Sequence, residues 1–501
     1  MNNKKNKIIH ILVILFGLIF ISLGAIHKNL WFDETYSVAL ANHSFSDIWR
    51  IGGTDVHPVL YYMLLKIVNI IFGSNVLAYR LFSVLGIAIL GILGYTHIRK
   101  DFGEKTGILF SFFTFFLPTM AIYASEIRMY AWSAVFVTLT AIYAYRITKQ
   151  NKLKNWILFG VFSLASLYMH YYGVMGAGLI NVALFIYIIR RKECRKANII
   201  KFLIIGFIQL LSYIPWIYCL IAQIAFVSEG FWISVTFPDI IFEVMQFQCL
   251  GNVDERIAIV LSFSLLVVSF YYLNKNNSEK IKIKEELKNF FDNKKEINPG
   301  KQAIIIYFAV IIAAGIISLK TPILYPRYLF VITGLLIFFL SYALSKCDNK
   351  KMLYTICIFT LIVSIYSNIL FINTNYKNTN MVQIEYLSQN IQKDDIIIFK
   401  NSELGSGSVI NVNFPEYTTY FYDIYDWKLE KPYEAYAPGM EIIHNLDMLE
   451  NYTGRIWLLD SEDYSLYNEI AKQHHVEVIE QKDFYTEYKE YVYKFILINK
   501  I

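Results

Sequence analysis

The chain has 501 residues, 56% hydrophobic and 17% charged, with a mean hydropathy of +0.42. Soluble domains carry about 25% charged residues, so an ordinary soluble globular protein is excluded and a polytopic membrane protein is indicated. The net charge of +6 is unevenly spread, with basic residues clustered in short loops and an acidic last quarter.

The N-terminus, MNNKKNK followed by an apolar run over 8–27, resembles a signal peptide. No small-x-small cleavage site follows and the run is long, so it reads as an uncleaved first span. About eleven runs are long enough to cross a bilayer. They lie at 8–27, 76–98, 106–124, 127–145, 155–170, 172–189, 202–221, 256–273, 302–319, 328–344 and 353–373. Every second linker is basic: Lys4, Lys5 and Lys7; Arg99, Lys100 and Lys105; Arg146, Lys149, Lys152 and Lys154; Arg190, Arg191, Lys192, Arg195, Lys196 and Lys201; the Lys-rich 275–301; and Lys346, Lys350 and Lys351. Lys and Arg are retained on the cytoplasmic side. The pattern puts the N-terminus inside, the 28–75 segment outside and, with an odd number of spans, the C-terminus outside. Residues 1–373 therefore read as a membrane domain and 374–501 as a separate extracytoplasmic domain.

The 28–75 segment is too long for a simple connector. It holds "WFDETYSVALA" and then "GGTDVHPVLYYMLLKIVNIIFG", the latter predicted as a helix lying in the membrane interface. In the C-terminal domain, 394–399, 454–460, 476–481 and 491–499 read as strands. Residues 379–392 and 465–474 have helical spacing. A small α/β domain follows. The five cysteines, at 194, 219, 249, 347 and 357, form no CxxC pair or metal-like spacing and read as free thiols.

Ionisable residues gather on the outer side: Asp33, Glu34, Asp55 and His57 in the first outer segment, Glu126 and Arg128 in "ASEIRMYAW", His170 in "LYMHYYG", and Tyr325 and Arg327 in "LYPRYLF". Ionisable groups at membrane depth are expensive, and function is the default explanation. Arginines suit a phosphate, and a carboxylate can take a proton from an attacking hydroxyl. A sugar phosphate leaves readily as an anion, so one base and cationic clamps suffice for displacement at an anomeric carbon. No Walker loop or dinucleotide fingerprint is visible, and nothing points to nucleic acid.

The blocks "WFDETYS", "DVHPVLYYMLLK", "FGSNVLAYRLFS", "SEIRMYAW", "YMHYYG" and "PRYLF", in this order over roughly residues 1–345, resemble bacterial membrane glycosyltransferases of family 39, relatives of protein O-mannosyltransferases and aminoarabinose transferases. The resemblance implies a GT-C fold of about eleven transmembrane helices with an appended α/β domain. It implies a polyprenyl-phosphate sugar donor, inverting transfer on the outer face, and a glycan, lipid or protein of the cell envelope as acceptor. The family's acidic DE motif carries over to Asp33 with Glu34 beside it. Its HPP reads His57-Pro58-Val59, and its SQEAR-M-Y reads Ser125-Glu126-Ile127-Arg128-Met129-Tyr130, lacking the Gln. Some relatives bind a divalent metal, for which Asp55, His57 and Glu126 are the candidates here.

Blander readings stand beside these. Asp33 and Glu34 also suit the first turn of any helix. Arg128 and Arg327 suit snorkelling anchors. Arg80 reads as a bundle anchor, His57 as a turn residue, and His170 with its tyrosines as an aromatic belt. A flippase of lipid-linked sugars is the competing function, but it would place ionisable groups near the midplane and on both sides. A scaffold worked by the acidic tail is the third.

Overall fold

A computed structural model describes the chain except for Met1, residues 192–193, 230–232, 276–297, 377–378, 401–403, 425–429, 437–438 and 486–491, and Ile501. The Lys-rich loop at 275–301 therefore lies almost wholly outside the described residues. The chain forms two compact units. The first comprises Met1–Ile26, Val56–Tyr61 and Arg80–Ile372; the second comprises His27–Asp55, Tyr62–Tyr79 and Asn373–Ile501.

The first unit is helical, as a bilayer requires of backbone that has no water to bond. Among the described residues, eight helices are long and apolar enough to span, or nine if the bent pair Glu104–Phe116 and Pro118–Ser125 counts as one span. The other two expected spans are also helices. Tyr130–Lys149 carries Ser, Thr and Tyr that lower its hydropathy, and Leu153–Met169 is short. The bent pair turns by 63°. Leu117, ahead of Pro118, takes an extended conformation, as residues preceding proline prefer.

Pro326–Leu344 is the central element, with 89% of its spanning window buried, against 11% for Arg195–Ser228. The second therefore turns most of its surface outward, to lipid. Small residues let the central helices approach closely. A Cβ on Gly334 would fall 1.8 Å from Thr138 Oγ1, and one on Gly91 would fall 2.2 Å from the Phe115 ring. Both contacts close only around glycine.

The second unit is built on a six-stranded sheet ordered β3-β2-β1-β4-β6-β5. The strands are β1 (Ile396–Lys400), β2 (Thr419–Tyr422), β3 (Met440–Ile443), β4 (Gly454–Ser461), β5 (Val476–Tyr485) and β6 (Val492–Lys500). The first four run parallel, and β6 pairs antiparallel with β4 and β5. Strands β1 and β4 are buried along most of their length, as parallel strands covered on both faces are. Asp395, at the entry to β1, accepts from Trp457 Nε1 at 2.8 Å and pairs with Arg455 at 3.1 Å. The four expected strands are present. Strands β2 and β3 add to them, as does the Leu404–Asn413 helix, whose two glycines hide it from a propensity reading.

Most of the 28–75 segment belongs to this same unit. Its Phe32–Asn42 helix packs against Leu404–Asn413 and against the turn Glu434–Tyr436. Thr35 Oγ1 and Tyr436 Oη are hydrogen-bonded at 3.3 Å, His43 Nε2 meets the Ala435 carbonyl at 2.7 Å, and Arg50 pairs with Glu434 at 2.5 Å.

Candidate active site

In the helical unit, five of the predicted site residues converge. His170 separates Leu153–Met169 from Tyr171–Arg190 and is extended, at φ −163° and ψ 147°. Its Nδ1 accepts from the Tyr172 backbone N–H at 3.0 Å, which caps the following helix. An accepting Nδ1 places the proton of the neutral ring on Nε2. His57, just before Pro58, holds its ring 5.2 Å from that of His170, tilted by 34°. The Tyr328 ring lies 5.1 Å from His170 and 6.2 Å from His57. Tyr130 and Tyr172 complete the wall, at 5.7 and 5.9 Å from His170.

Arg327 follows Pro326 in a short 3-10 segment. Its guanidinium lies 5.1 Å from the Tyr325 ring centroid and 5.8 Å from that of Tyr328, within cation–π range. Arg128 is buried and starts the turn into Tyr130–Lys149, its backbone N–H bonded to the Glu126 carbonyl at 2.8 Å. Arg80 is buried and donates to the Ser125 carbonyl at 2.7 Å, so it holds the turn that carries Glu126 and Arg128.

The cluster carries the guanidiniums of Arg128 and Arg327, with the Glu126 carboxylate also within electrostatic reach of Tyr130. Burial pushes the His57 imidazole well below its usual range, and the charges of Arg128 and Arg327 push the same way. Burial, then Arg128 and Arg327, lower His170 to about 3. Both rings are therefore neutral at physiological pH. Among the described residues, three buried polar atoms here have no hydrogen-bond partner: His57 Nδ1, His170 Nε2 and Tyr130 Oη. An unmade buried hydrogen bond costs roughly 1–3 kcal/mol. Three such groups in one place could receive polar atoms of a ligand, and arginines nearby suit an anionic one.

In the second unit, Asp33 and Glu34 occupy the first turn of the Phe32–Asn42 helix, where carboxylates oppose the helix dipole favourably. Glu34 is buried and receives the Trp31 backbone N–H at 3.4 Å, while Asp33 is half-buried. Asp55 lies near Tyr433, whose hydroxyl is raised by burial, then by Tyr436, Asp423 and Asp55. Among the described residues, no group of three or more His, Cys, Asp or Glu gathers in a metal-ligand arrangement. The metal expectation for Asp55, His57 and Glu126 finds no support there.

Tyr130 enters the sequence reading only as the end of the 125–130 motif and Tyr172 only among the tyrosines beside His170, and neither they nor Tyr328 stand among the candidate site residues. The signal for them is positional, since each falls within three residues of a predicted Arg or His.

Two structures of ArnT from Cupriavidus metallidurans share this architecture. The apo form aligns with a TM-score of 0.56 at 10% identity, over 99% of this chain and 98% of its own. The form bound to undecaprenyl phosphate aligns with a TM-score of 0.58 at 10% identity, over 98% and 97%. The chain has the ArnT-like GT-C fold. It is accordingly a multi-pass membrane protein with a C-terminal sheet domain, as the resemblance implies. The family described as dolichyl-phosphate-mannose-protein mannosyltransferase matches residues 56–219 of this GT-C chain. That stretch contains His57, Glu126, Arg128 and His170, but not Asp33 or Arg327. No curated protein matches the chain.

Proposed function

We propose that this GT-C chain is an integral membrane glycosyltransferase that moves a sugar from a polyprenyl-phosphate donor to a hydroxyl of a cell-envelope acceptor, on the outer face and with inversion. The observation that carries the reading is the buried cluster of His57, His170 and Tyr130 with Arg128 and Arg327 nearby, on a fold shared with ArnT, which has been seen bound to undecaprenyl phosphate.

In this reading Arg128 and Arg327 hold the lipid-linked phosphate, with Tyr325 beside them. His170 Nε2–H and Tyr130 Oη donate hydrogen bonds to its oxygens or to the sugar. His57 accepts from a sugar hydroxyl. Asp33 takes the proton of the acceptor hydroxyl as its oxygen attacks the anomeric carbon from the face opposite the phosphate. Glu34 positions that acceptor, and Asp55 and Glu126 bind substrate hydroxyls. The bond from the anomeric carbon to phosphate oxygen breaks, its electron pair stays on the polyprenyl phosphate, and the arginines stabilise the charge that develops there.

Mass spectrometry of envelope polymers and lipids tests this, in cells with and without the protein. The expected result is loss of one sugar substituent together with accumulation of its polyprenyl-phosphate form. An unchanged envelope and donor pool would reject the proposal.

A further inference from the structure

The helical unit contains a second cavity, of about 550 Å³. This is within the range of roughly 300–1,000 Å³ typical of ligand sites. It lies among the helices Tyr130–Lys149, Tyr171–Arg190, Pro299–Ser318 and Thr333–Leu344, and its walls include Ile142, Ile180, Leu184, Ile306 and Phe338. Its charged lining residues are Lys149, Arg190 and Arg191, all cationic.

Two features make it distinct from the His170 cluster. Arg190 and His170 flank opposite ends of one 20-residue helix, which at 1.5 Å per residue separates them by about 30 Å, the thickness of a hydrocarbon core. The cations also stand at the helix ends that join the basic loops, whereas His170 stands at the other ends.

The cavity has a mostly aliphatic and aromatic body, with its three cations at the helix ends that join the basic loops. A soluble anion would have no use for the body, and a neutral lipid none for the cations. The cationic groups are also braced on rings. Lys149 Nζ lies 5.6 Å from the Tyr145 ring centroid and the Arg191 guanidinium 5.1 Å from that of Tyr187. Basic pockets between transmembrane helices are suited to anionic headgroups, and arginine pairs well with phosphate.

We propose that this cavity binds an anionic glycerophospholipid from the leaflet that faces the basic loops. Its acyl chains lie against Ile180, Leu184, Ile306 and Phe338, and its phosphate is held by Lys149, Arg190 and Arg191. The proposal does not depend on the donor reading, because its residues and its leaflet are different.

Native mass spectrometry of the full-length protein in detergent tests it, with phosphatidylglycerol, phosphatidylcholine or undecaprenyl phosphate added in separate arms. The wild type is expected to hold phosphatidylglycerol at least tenfold more tightly than phosphatidylcholine. Arg190→Gln/Arg191→Gln, and independently Lys149→Gln, should reduce that preference while leaving the melting temperature and undecaprenyl phosphate binding intact. Ala183→Trp, which fills the cavity body, should lose the phosphatidylglycerol adduct. Equal retention of the two phospholipids by the wild type would overturn the proposal. So would an unchanged preference in both cation variants, or loss of undecaprenyl phosphate instead of phosphatidylglycerol from them.

Discussion

The imidazoles of His57 and His170 lie 5.2 Å apart, both buried and both held neutral beside Arg128 and Arg327. A second cationic ring beside two guanidiniums would be repelled, so the pair serves as hydrogen-bonding groups and not as charges. Stability should follow. Above the ordinary histidine pKa of 6.5 both folded and unfolded states are neutral, and the contribution is fully present. As pH falls below 6.5 the unfolded chain takes up protons that the folded chain refuses until about pH 3 at His170. The loss is up to about 1.4 kcal/mol per pH unit per histidine in that window. The melting temperature should therefore drop between pH 7.5 and pH 5. His170→Asn, which keeps an acceptor for the Tyr172 N–H, should flatten the drop. An identical pH profile in that variant would show that His170 does not set it.

Arg327 is placed by two tyrosine rings, at 5.1 and 5.8 Å. Lysine keeps the charge but loses the planar fork and the stacking. One charge-assisted hydrogen bond is worth about 1.5–3 kcal/mol, so Arg327→Lys should weaken undecaprenyl phosphate binding by roughly 10- to 100-fold. Titration of the purified protein with the lipid reads this directly, and unaltered affinity would remove Arg327 from the phosphate site.

The helix that carries Asp33 is tied down by contacts of unequal worth. The His43–Ala435 bond is partly buried, at 2.7 Å, whereas Arg50 and Glu434 are 58% and 46% exposed. Exposed ion pairs contribute about 0–1 kcal/mol. Arg50→Ala should leave melting and turnover nearly unchanged. His43→Ala should cost about 0.5–1.5 kcal/mol and, in the proposed mechanism, lower kcat while leaving donor affinity intact, since it loosens the helix of Asp33 and not the lipid contacts. Melting curves and turnover for the two variants separate these outcomes.

Arg80 supports the Ser125 carbonyl from inside the bundle. Arg80→Met leaves that carbonyl without its donor and should destabilise the protein by about 1–3 kcal/mol. It should also weaken lipid-phosphate binding, because the released turn carries Arg128. A variant as stable and as tight-binding as the wild type would contradict the bracing role.

Much of the architecture was legible in the sequence because membranes constrain hydropathy so strongly. The apolar runs and strands β1, β4, β5 and β6 emerged from periodicity and composition. Strands β2 and β3 did not, because four-residue strands such as "TYFY" and "MEII" carry too little alternation to register. The gathering of His57, Arg128, His170, Tyr325 and Arg327 in the helical unit was legible because ionisable and interfacial polar groups are conspicuous at span ends. Tyr130, Tyr172 and Tyr328 were lost among the 38 tyrosines of the chain, where an aromatic belt looks the same as a ligand wall. The joining of the 32–42 helix to the C-terminal sheet unit was also invisible, because Thr35 and Tyr436 are separated by 401 residues.

The most direct test uses purified protein, donor lipid extracted from the parent cells, and envelope membranes from cells lacking the protein, with released polyprenyl phosphate measured over time. The wild type should release it in step with sugar incorporation into the envelope, and Asp33→Asn should bind the donor normally and release none. Release by Asp33→Asn at the wild-type rate, or wild-type protein that moves the donor across vesicles without cleaving it, would contradict the account.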